Sequence, residues 1–419
     1  MNVAPRRTSA SLLALTLLAA SCGGGGDDEP LQTAQDASTP LADSDDNRAQ
    51  TLQIDVGDAT VDALVGTIAA PSVVTLTSGL VNPWSLAFLP DGSMLVTERP
   101  GRLRRVGASG SPVSAPISGL PQVDARGQGG LFDVVLDPDF AANRRIYLSY
   151  AEASGSLNGT AVARAVLSAD YRSLSQVVII FRQQPKKAST AHFGGRMVFR
   201  PDRTLYLTLG DRSTFASEAQ NPSNHLGKVL RISRYGGGTV QDNPFFGRQG
   251  YATYIWSLGH RNVQGAALHP TTGELWTHEH GPQGGDEVNV TRAGKNYGWP
   301  LASYGCQYGT PVGNCTPVGG RTSYSGTVQP LTYWVPTSIA PSGMAFYTGS
   351  RYPQWQGNLF VGALAGKALW RLTLSGNSVI SRERLFANLG HRIRDVRQGP
   401  DGYLYLLTDS TNGRILRIQ

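Results

Sequence analysis

The sequence predicts an all-β protein, a six-bladed β-propeller in which each blade is a four-stranded antiparallel sheet. One phrase, an apolar strand followed by a tight turn and then by a second strand, occurs six times. Apolar residues spaced three and four apart, as on a helix face, are scarce, whereas β-branched and aromatic runs are common. The six copies lie at 86–97, 134–148, 197–207, 267–276, 344–361 and 396–406.

The spacing of these copies explains why a ring is predicted. The turns recur at intervals of about 50 to 80 residues, which is enough chain for one four-stranded sheet and its loops. A single sheet cannot cover both of its faces, so neighbouring sheets must stack, and six stacked sheets close into a ring with few open edges. An open sandwich array explains six copies poorly. In a propeller, ligand sites usually lie at one mouth of the central channel.

Composition narrows the class of protein further. The 419 residues include 50 Gly and 25 Pro, are 40% hydrophobic and are only 16% charged, which excludes a coiled coil, a collagen and a wholly disordered chain. The net charge is +7, but the Lys and Arg residues are scattered without a dense basic run. We therefore expect no nucleic-acid partner and favour an acidic small molecule bound within the fold.

The first 70 residues predict an exported protein. Residues 1–22 combine a basic start, a short apolar run and small residues before Cys22, the pattern of a signal peptide. A cysteine in this position resembles a bacterial lipoprotein cleavage site, which predicts a periplasmic protein with a lipid anchor; ordinary cleavage with an incidental Cys22 is the alternative. Residues 23–70 begin with four glycines and an acidic stretch, and are expected to form a flexible linker. The propeller is assigned to residues 71–419.

Two further cysteines lie in a loop rich in Gly, Pro and Asn. Cys306 and Cys315 are close in sequence, and export favours oxidised thiols, so we expect a local, structural disulfide.

The segment 259–287 is the densest polar part of the chain. His278 and His280 suggest zinc, but a tetrahedral zinc site requires two further ligands. Backbone carbonyls at Gly281 and Pro282, with the carboxylates of Asp286 and Glu287, better suit Ca²⁺. The alternative is a tight turn with solvated acids.

Outside that segment, His192 stands among small residues before a strand. It is either a general base or a hydrogen-bonded loop histidine. The chain contains neither a strand–GxGxxG–helix unit nor a Gly-x-Ser-x-Gly elbow, which disfavours nicotinamide binding and an α/β-hydrolase site.

Seven strings, in order and on the six repeats, resemble the soluble pyrroloquinoline-quinone (PQQ)-dependent glucose/aldose sugar dehydrogenases. The similarity covers most of residues 75–419. Each string is weak alone, but their order is specific: they are Gly-Gln-Gly-Gly-Leu (127–131), His192 before Gly-Arg (195–196), Gly-Lys-Val-Leu-Arg (227–231), Gly-His-Arg-Asn (259–262), Gly-Pro with Asp-Glu (281–287), Asn-Tyr-Gly-Trp-Pro (296–300) and Arg-Ile-Arg-Asp (392–395).

The resemblance implies that PQQ is the cofactor and that an aldose sugar is the substrate. His192 would take the proton of the anomeric hydroxyl, and Asp286 would lie close to this base. Arg261 and Asn262 would contact the reactive edge of the quinone, where negative charge develops. Cationic side chains of the protein would bind the three carboxylates of PQQ. The full set of implied cofactor-binding residues is Gln128, His192, Arg261, Asn262, Gln264, Lys367, Arg392 and Arg394.

The resemblance also implies calcium. The carbonyls of Gly281 and Pro282 would hold one Ca²⁺ beside the quinone, where it acts as a Lewis acid. Glu287, with the backbone of Tyr297, would hold a second, structural Ca²⁺.

Two departures from the family pattern bear on substrate and cofactor. The better-known glucose enzymes have a lysine directly after the leucine of the fifth repeat, whereas Leu364 is followed here by Ala365, and Lys367 is the nearest substitute. An acid that precedes their catalytic histidine is Ala191 here. These differences favour an aldose dehydrogenase of broad specificity over a strict glucose enzyme.

Two other classes of function stay open on the sequence. One is a calcium-dependent propeller lactonase or other hydrolase, with Asp286 and Glu287 as its close carboxylate pair. The other is a non-catalytic binding propeller. Because the chain has no Cys-x-x-Cys-His haem motif, a dehydrogenase would pass its electrons to an external acceptor.

Overall fold

The computed structural model describes residues 71–419 apart from Gly237, Thr239 and Val312. The predicted signal peptide (1–22), the predicted linker (23–70) and the lipid anchor at Cys22 lie outside the described residues. Within the described part of the chain, no helix is long and apolar enough to cross a membrane.

The regular secondary structure of the described chain consists almost entirely of strands. The first half contains β1 (Val73–Leu80), β2 (Pro83–Phe88), β3 (Met94–Glu98), β4 (Arg102–Val106), β5 (Leu131–Leu136), β6 (Arg145–Ser154), β7 (Leu157–Leu167), β8 (Leu174–Arg182), β9 (Met197–Phe199), β10 (Leu205–Thr208), β11 (Lys228–Ile232) and β12 (Ile255–Leu258). The second half contains β13 (Val263–Leu268), β14 (Leu275–Glu279), β15 (Asp286–Val290), β16 (Thr332–Trp334), β17 (Pro341–Phe346), β18 (Leu359–Ala363), β19 (Ala368–Ser375), β20 (Ser378–Leu385), β21 (Ile393–Gln398), β22 (Leu404–Thr408) and β23 (Gly413–Ile418). The helical segments are short: α1 (Phe140–Asn143) and single 3₁₀ turns at Ala216–Ala219, Val318–Gly320, Pro353–Trp355 and Ala387–Leu389.

These strands form six antiparallel sheets arranged as a six-bladed propeller, which confirms the predicted fold. Five sheets have four strands, and the sheet β2-β3-β4 is extended at its outer edge by a single bridge between Val106 and Val113. The innermost strands, which contact one another around the ring, are β2, β5, β9, β13, β17 and β21. Each predicted repeat supplies the innermost pair of strands of one blade.

The ring is closed by hydrogen bonds between the two ends of the described chain. Strand β1 pairs antiparallel with β23, with Val73 opposite Ile418 and Thr75 opposite Leu416, so the first strand completes the last blade. The repeats did not predict this closure, because β1 lies before the first copy of the phrase. Strand β1 is therefore the outermost strand of the last blade and covers the outer edge of β23.

The turn of the repeated phrase has a local physical cause. In the first copy, the carboxylate of Asp91 accepts a hydrogen bond from the backbone N–H of Ser93 at 3.0 Å. In the third copy, Asp202 accepts from the backbone N–H of Thr204 at 2.9 Å. Such Asx turns reverse the chain tightly between two strands, which explains why an acid follows proline in these copies.

Apolar side chains fill the space between neighbouring blades. Leu205, Leu207 and Leu230 of the third blade pack against Tyr147 and Val162 of the second, all nearly inaccessible to water. Similar clusters lie between the other blades. The predicted disulfide is also present: Cys306 and Cys315 are bonded.

The protein is expected to become less stable as the pH decreases, because of one buried histidine. Burial, with a smaller effect of the Lys228 charge, lowers the pKa of His225 to about 4, and its Nδ1 accepts a hydrogen bond from the backbone N–H of Gln184 at 3.0 Å. The unfolded chain binds this proton near pH 6.5, so stability is lost as the pH falls from that value towards 4. From pH 7 to pH 5, His225 should lower the free energy of unfolding by about 2 kcal/mol. Urea unfolding at both pH values measures this, and an unchanged pH dependence in His225→Gln would contradict it.

Candidate active site

All six blades contribute to a cavity of about 310 Å³ at one mouth of the central channel. Its walls are the ends of the innermost strands and the loops beside them. The lining residues are Asn82, Trp84, Arg99, Gly127, Gln128, Phe132, Phe193, Gly194, Asn262, Gln264, His280, Ala340, Leu364, Arg392, Arg394 and Asp409. The structure thus brings five of the predicted cofactor-binding residues into one cavity: Gln128, Asn262, Gln264, Arg392 and Arg394.

The cavity carries an excess of positive charge. The guanidinium groups of Arg392 and Arg394 both lie 3.2 Å from the carboxylate of Asp409, so two cations share one anion. Burial lowers the pKa of Arg394. Burial alone would raise the pKa of Asp409, but the arginines hold it below its ordinary value. With Arg99 also in the wall, this charge suits a ligand with carboxylate groups.

His192 is held beside this cavity by a buried carboxylate. Its Nδ1 lies 2.7 Å from Oδ1 of Asp211, and Asp211 is inaccessible to water. The other carboxylate oxygen accepts a hydrogen bond from the indole N–H of Trp299 at 2.8 Å, and the backbone N–H of Ser213 donates to Oδ1 at 2.7 Å. With its proton on Nδ1 facing Asp211, His192 keeps Nε2 free to accept a proton.

The backbone around His192 is also fixed. Its φ of 50° is in the left-handed region, which is uncommon for a side chain other than glycine and is found more often at functional sites. Its backbone N–H donates to the side-chain oxygen of Gln128 at 2.9 Å. Gly127, with φ of 57°, lies so close to Thr190 that an added Cβ would fall 2.5 Å from the threonine Cβ. The glycine-rich loop therefore places Gln128 against His192.

Asp286 has different partners from those the resemblance implied. The carboxylate that contacts His192 is that of Asp211. Asp286 is fully buried at the start of β15 and accepts hydrogen bonds from Ser338, Ile339 and Ala340 at 2.6 to 2.9 Å. Its other oxygen accepts from the N–H of Gly281 at 3.0 Å. Burial raises the pKa of Asp286. This residue ties the 338–340 loop, which reaches the cavity at Ala340, to the Gly281 turn.

Arg261 contacts the turn that was predicted to hold calcium. Its guanidinium donates to the carbonyl of Gly281 at 2.6 Å and to that of His280 at 3.2 Å. Its face lies 5.3 Å from the ring of Trp299, which in turn donates to Asp211. The two residues with predicted chemical roles, His192 and Arg261, are therefore connected through Asp211 and Trp299.

A second, much smaller cavity of about 20 Å³ lies beside Arg261. Gly281, Glu287 and Tyr297, three of the four predicted calcium ligands, line it, and Pro282 does not. Burial and the nearby charge of Glu279 raise the pKa of Glu287 well above its ordinary value. In the described residues, no group of three His, Cys, Asp or Glu side chains is arranged to hold a metal ion; a cation in this cavity would take backbone carbonyl oxygens in addition to Glu287.

Lys367 does not line the main cavity. Residues 364–367 form the turn between β18 and β19, and Lys367 is exposed there with φ of 45°. The structure therefore does not bring Lys367, the nearest substitute for the family lysine, to the other predicted cofactor-binding residues. Leu364, at the start of the turn, does line the cavity.

Four residues of the site were not predicted from the sequence: Asp211, Glu279, Trp299 and Asp409. A signal existed for two of them. Asp211 follows β10 and Asp409 follows β22, the same strand position in two blades, at the edge where the predicted arginines also lie. Trp299 stands in the Asn-Tyr-Gly-Trp-Pro string, but only the fold shows that its N–H reaches Asp211.

Comparison with known proteins identifies the family. The model of the Glucose / Sorbosone dehydrogenase family matches residues 80–417. The chain belongs to this family. It is 46% identical over 355 residues to aldose sugar dehydrogenase YliI of Escherichia coli (strain K12), covering 84% of this chain and 94% of the relative.

Solved structures agree with this membership. The soluble aldose sugar dehydrogenase from Escherichia coli, solved in its apo-form, is 45% identical with a TM-score of 0.79, covering 84% of this chain and 99% of the other. The PQQ-bound form of aldose sugar dehydrogenase from Streptomyces coelicolor is 28% identical with a TM-score of 0.68, again covering 84% and 99%.

Proposed function

We propose that this protein is a PQQ-dependent aldose sugar dehydrogenase that oxidises the anomeric carbon of its substrate to a lactone. One observation carries the proposal: a histidine–carboxylate pair and an arginine-rich cavity meet at the same mouth of the channel. The relatives named aldose sugar dehydrogenase, one of them solved with PQQ, support it.

The main cavity fits the proposed cofactor in its charge. PQQ carries three carboxylates, and Arg99, Arg392 and Arg394 face the cavity against one carboxylate, that of Asp409. Planar guanidinium groups bind carboxylates with paired hydrogen bonds. Trp84 and Phe132 add apolar wall, which suits a flat aromatic ligand. When bound, PQQ supplies the electrophilic carbonyl that accepts the hydride from the sugar.

The residues of the chain then have separate tasks. Nε2 of His192 accepts the proton of the anomeric hydroxyl, and the C1–O bond becomes a carbonyl as hydride leaves C1. Asp211 fixes the orientation of the imidazole and stabilises its positive charge once it is protonated. Arg261 and Asn262 donate hydrogen bonds where negative charge develops. Gln128, which already accepts from the His192 backbone, orients the substrate hydroxyl.

We propose Ca²⁺ as the second cofactor. The carbonyls of Gly281 and Pro282 would serve a cation beside the quinone, and Glu287 with the Tyr297 backbone would serve a structural one. One observation supports a cation here, the raised pKa of Glu287 beside Glu279. The carbonyl oxygen of Gly281 accepts from the cationic Arg261 in this structure, and it would have to exchange that hydrogen bond for a bond to the cation. Oxygen donors of this kind suit Ca²⁺. The export signal, the lipid anchor at Cys22 and an external electron acceptor complete the proposal.

Reconstitution tests the proposed function. Purified protein, stripped of metal and cofactor, is given PQQ and Ca²⁺ alone and together, and the reduction of a dye is followed with a panel of aldoses. Turnover that requires both additions and occurs with several sugars is the expected result. Absence of turnover, with no spectral change on adding PQQ, would contradict it and direct the assays to lactone hydrolysis.

Asp211→Asn is expected to lower kcat for aldose oxidation by about 10²-fold or more, because the amide neither holds the same tautomer of His192 nor stabilises its positive charge. The measurement is steady-state kinetics of the reconstituted enzyme, with a PQQ titration to show that binding is retained. Asp242→Asn is a matched control, since Asp242 is an exposed acid paired with Arg231. Equal kcat in the Asp211 variant and wild type would exclude the role given to Asp211.

A further inference from the structure

One exposed aromatic side chain lies next to the reactive groups without a role in the mechanism above. Tyr308 is 69% exposed, the highest value among the large hydrophobic side chains that the structure describes. Its ring centroid lies 5.9 Å from the guanidinium carbon of Arg261, whereas Arg261 itself is 7% exposed. Tyr308 thus covers a residue that is assigned to the reacting centre.

A disulfide and several hydrogen bonds hold the backbone around Tyr308. The disulfide between Cys306 and Cys315 closes the loop that carries this residue. The side chain of Gln283 accepts from the N–H of Gly309 at 3.1 Å and donates to the carbonyl of Thr310 at 2.7 Å, so both residues after Tyr308 are fixed. The backbones of Gln283 and Cys306 also exchange two hydrogen bonds of 2.8 and 3.0 Å. These contacts fix the backbone on which the exposed ring of Tyr308 stands.

A continuous series of contacts connects Tyr308 to the proposed base, His192. Contacts run from His192 to Asp211 at 2.7 Å, from Asp211 to Trp299 at 2.8 Å, and from Trp299 through Arg261 to Tyr308. His192, Asp211 and Arg261 are buried, and Trp299 is partly buried. Tyr308 is therefore the member of this series whose ring is open to solvent.

We propose that Tyr308 is a substrate-binding residue that packs its ring against the C–H face of the aldose and so sets sugar affinity. The C–H groups on one face of a pyranose are weakly positive and apolar, and they complement the negative face of an aromatic ring. This inference rests on the proposed function and extends it to the group that recognises the sugar ring. The contact would be made in the bound state before any bond changes, so its effect belongs to KM.

The test compares Tyr308→Ala, Tyr308→Leu and Tyr308→Phe in the enzyme reconstituted with PQQ and Ca²⁺. Alanine and leucine, which lack the π face, should raise KM for aldoses about three- to tenfold while kcat stays within about twofold. Phenylalanine keeps the ring and should stay near the wild-type KM. Tyr324→Ala is the matched control, because Tyr324 is also an exposed tyrosine next to an arginine, Arg321 at 5.4 Å.

Three results would overturn the inference. An unchanged KM in Tyr308→Ala and Tyr308→Leu removes the contact, and a phenylalanine variant as impaired as alanine shows that the ring face is not what matters. A fall in kcat at constant KM would show that Tyr308 acts indirectly, by positioning Arg261, and does not bind the sugar. Each of these results leaves the proposed function intact if the wild type oxidises aldoses. A reconstituted wild type that oxidises no aldose refutes the proposed function, and this inference with it.

Discussion

Replacing His192 with alanine is expected to lower kcat for aldose oxidation by about 10²–10⁴-fold while leaving PQQ affinity nearly unchanged. The reason is that the imidazole is the proton acceptor in the mechanism, whereas the charges that suit the carboxylates of PQQ come from Arg392 and Arg394 on another blade. Dye reduction by the reconstituted variant gives kcat, and the absorbance change on adding PQQ gives the affinity.

The controls for this variant separate chemistry from folding. His269→Ala removes a histidine from the turn that follows β13, at the opposite end of this strand from the cavity, and should keep full turnover. Free imidazole, small enough to enter the space left by the side chain, should restore part of the lost activity. The assignment of His192 as the base would be wrong if His192→Ala lost PQQ binding but turned over normally per bound site.

The fold was predictable from the sequence because its information is repeated. Six copies of one phrase each specify the same two inner strands and turn, and the Asx turns at Asp91, Asp202 and Asp401 show that local chemistry fixes the turn in three of these copies. The closure of the ring by β1 was not predictable in this way. It is a single pairing between segments more than 300 residues apart, with no second copy to reveal it.

The site was predictable only in part, for a physical reason. Residues at the ends of innermost strands, such as Gln264 and Arg394, must reach the channel mouth once the blades form a ring. The fold class does not determine which residues of the loops contact one another, either within a blade or between neighbouring blades. The family resemblance implied that Asp286 lies close to the base, whereas the fold places Asp211 against His192 and Asp286 between two loops. Closeness in sequence to Leu364 did not predict the position of Lys367, because the turn that follows Leu364 leaves Lys367 exposed.

The second large effect is expected at a pair of facing acids. Glu279 on β14 is directly opposite Glu287 on β15 in the antiparallel ladder, and like charges in this position destabilise a sheet. Glu279 is already held by the ring of His260 at 2.7 Å and by the N–H of Arg261. The effect of the repulsion is seen at Glu287: burial and the charge of Glu279 raise its pKa well above the ordinary value.

A divalent cation beside Glu287 would remove this repulsion. We therefore expect Ca²⁺ at 100 times its dissociation constant to stabilise the protein by about 2.7 kcal/mol, and chelation to reverse this. In Glu287→Gln the response to Ca²⁺ should be lost, yet the metal-free variant should melt at a higher temperature than the metal-free wild type, because the like-charge pair is gone. A ligand substitution that stabilises the metal-free protein is an outcome that a purely structural glutamate does not produce.

Thermal unfolding with Ca²⁺, with Mg²⁺ and with chelator measures these differences, and Glu383→Gln on the outer strand β20 serves as the control for loss of one negative charge. The same preparations, loaded with PQQ, show whether turnover follows calcium occupancy. Equal Ca²⁺ responses in wild type and Glu287→Gln would exclude Glu287 as a ligand. A lower melting temperature of the metal-free variant would show that the Glu279–Glu287 repulsion is already relieved within the protein itself.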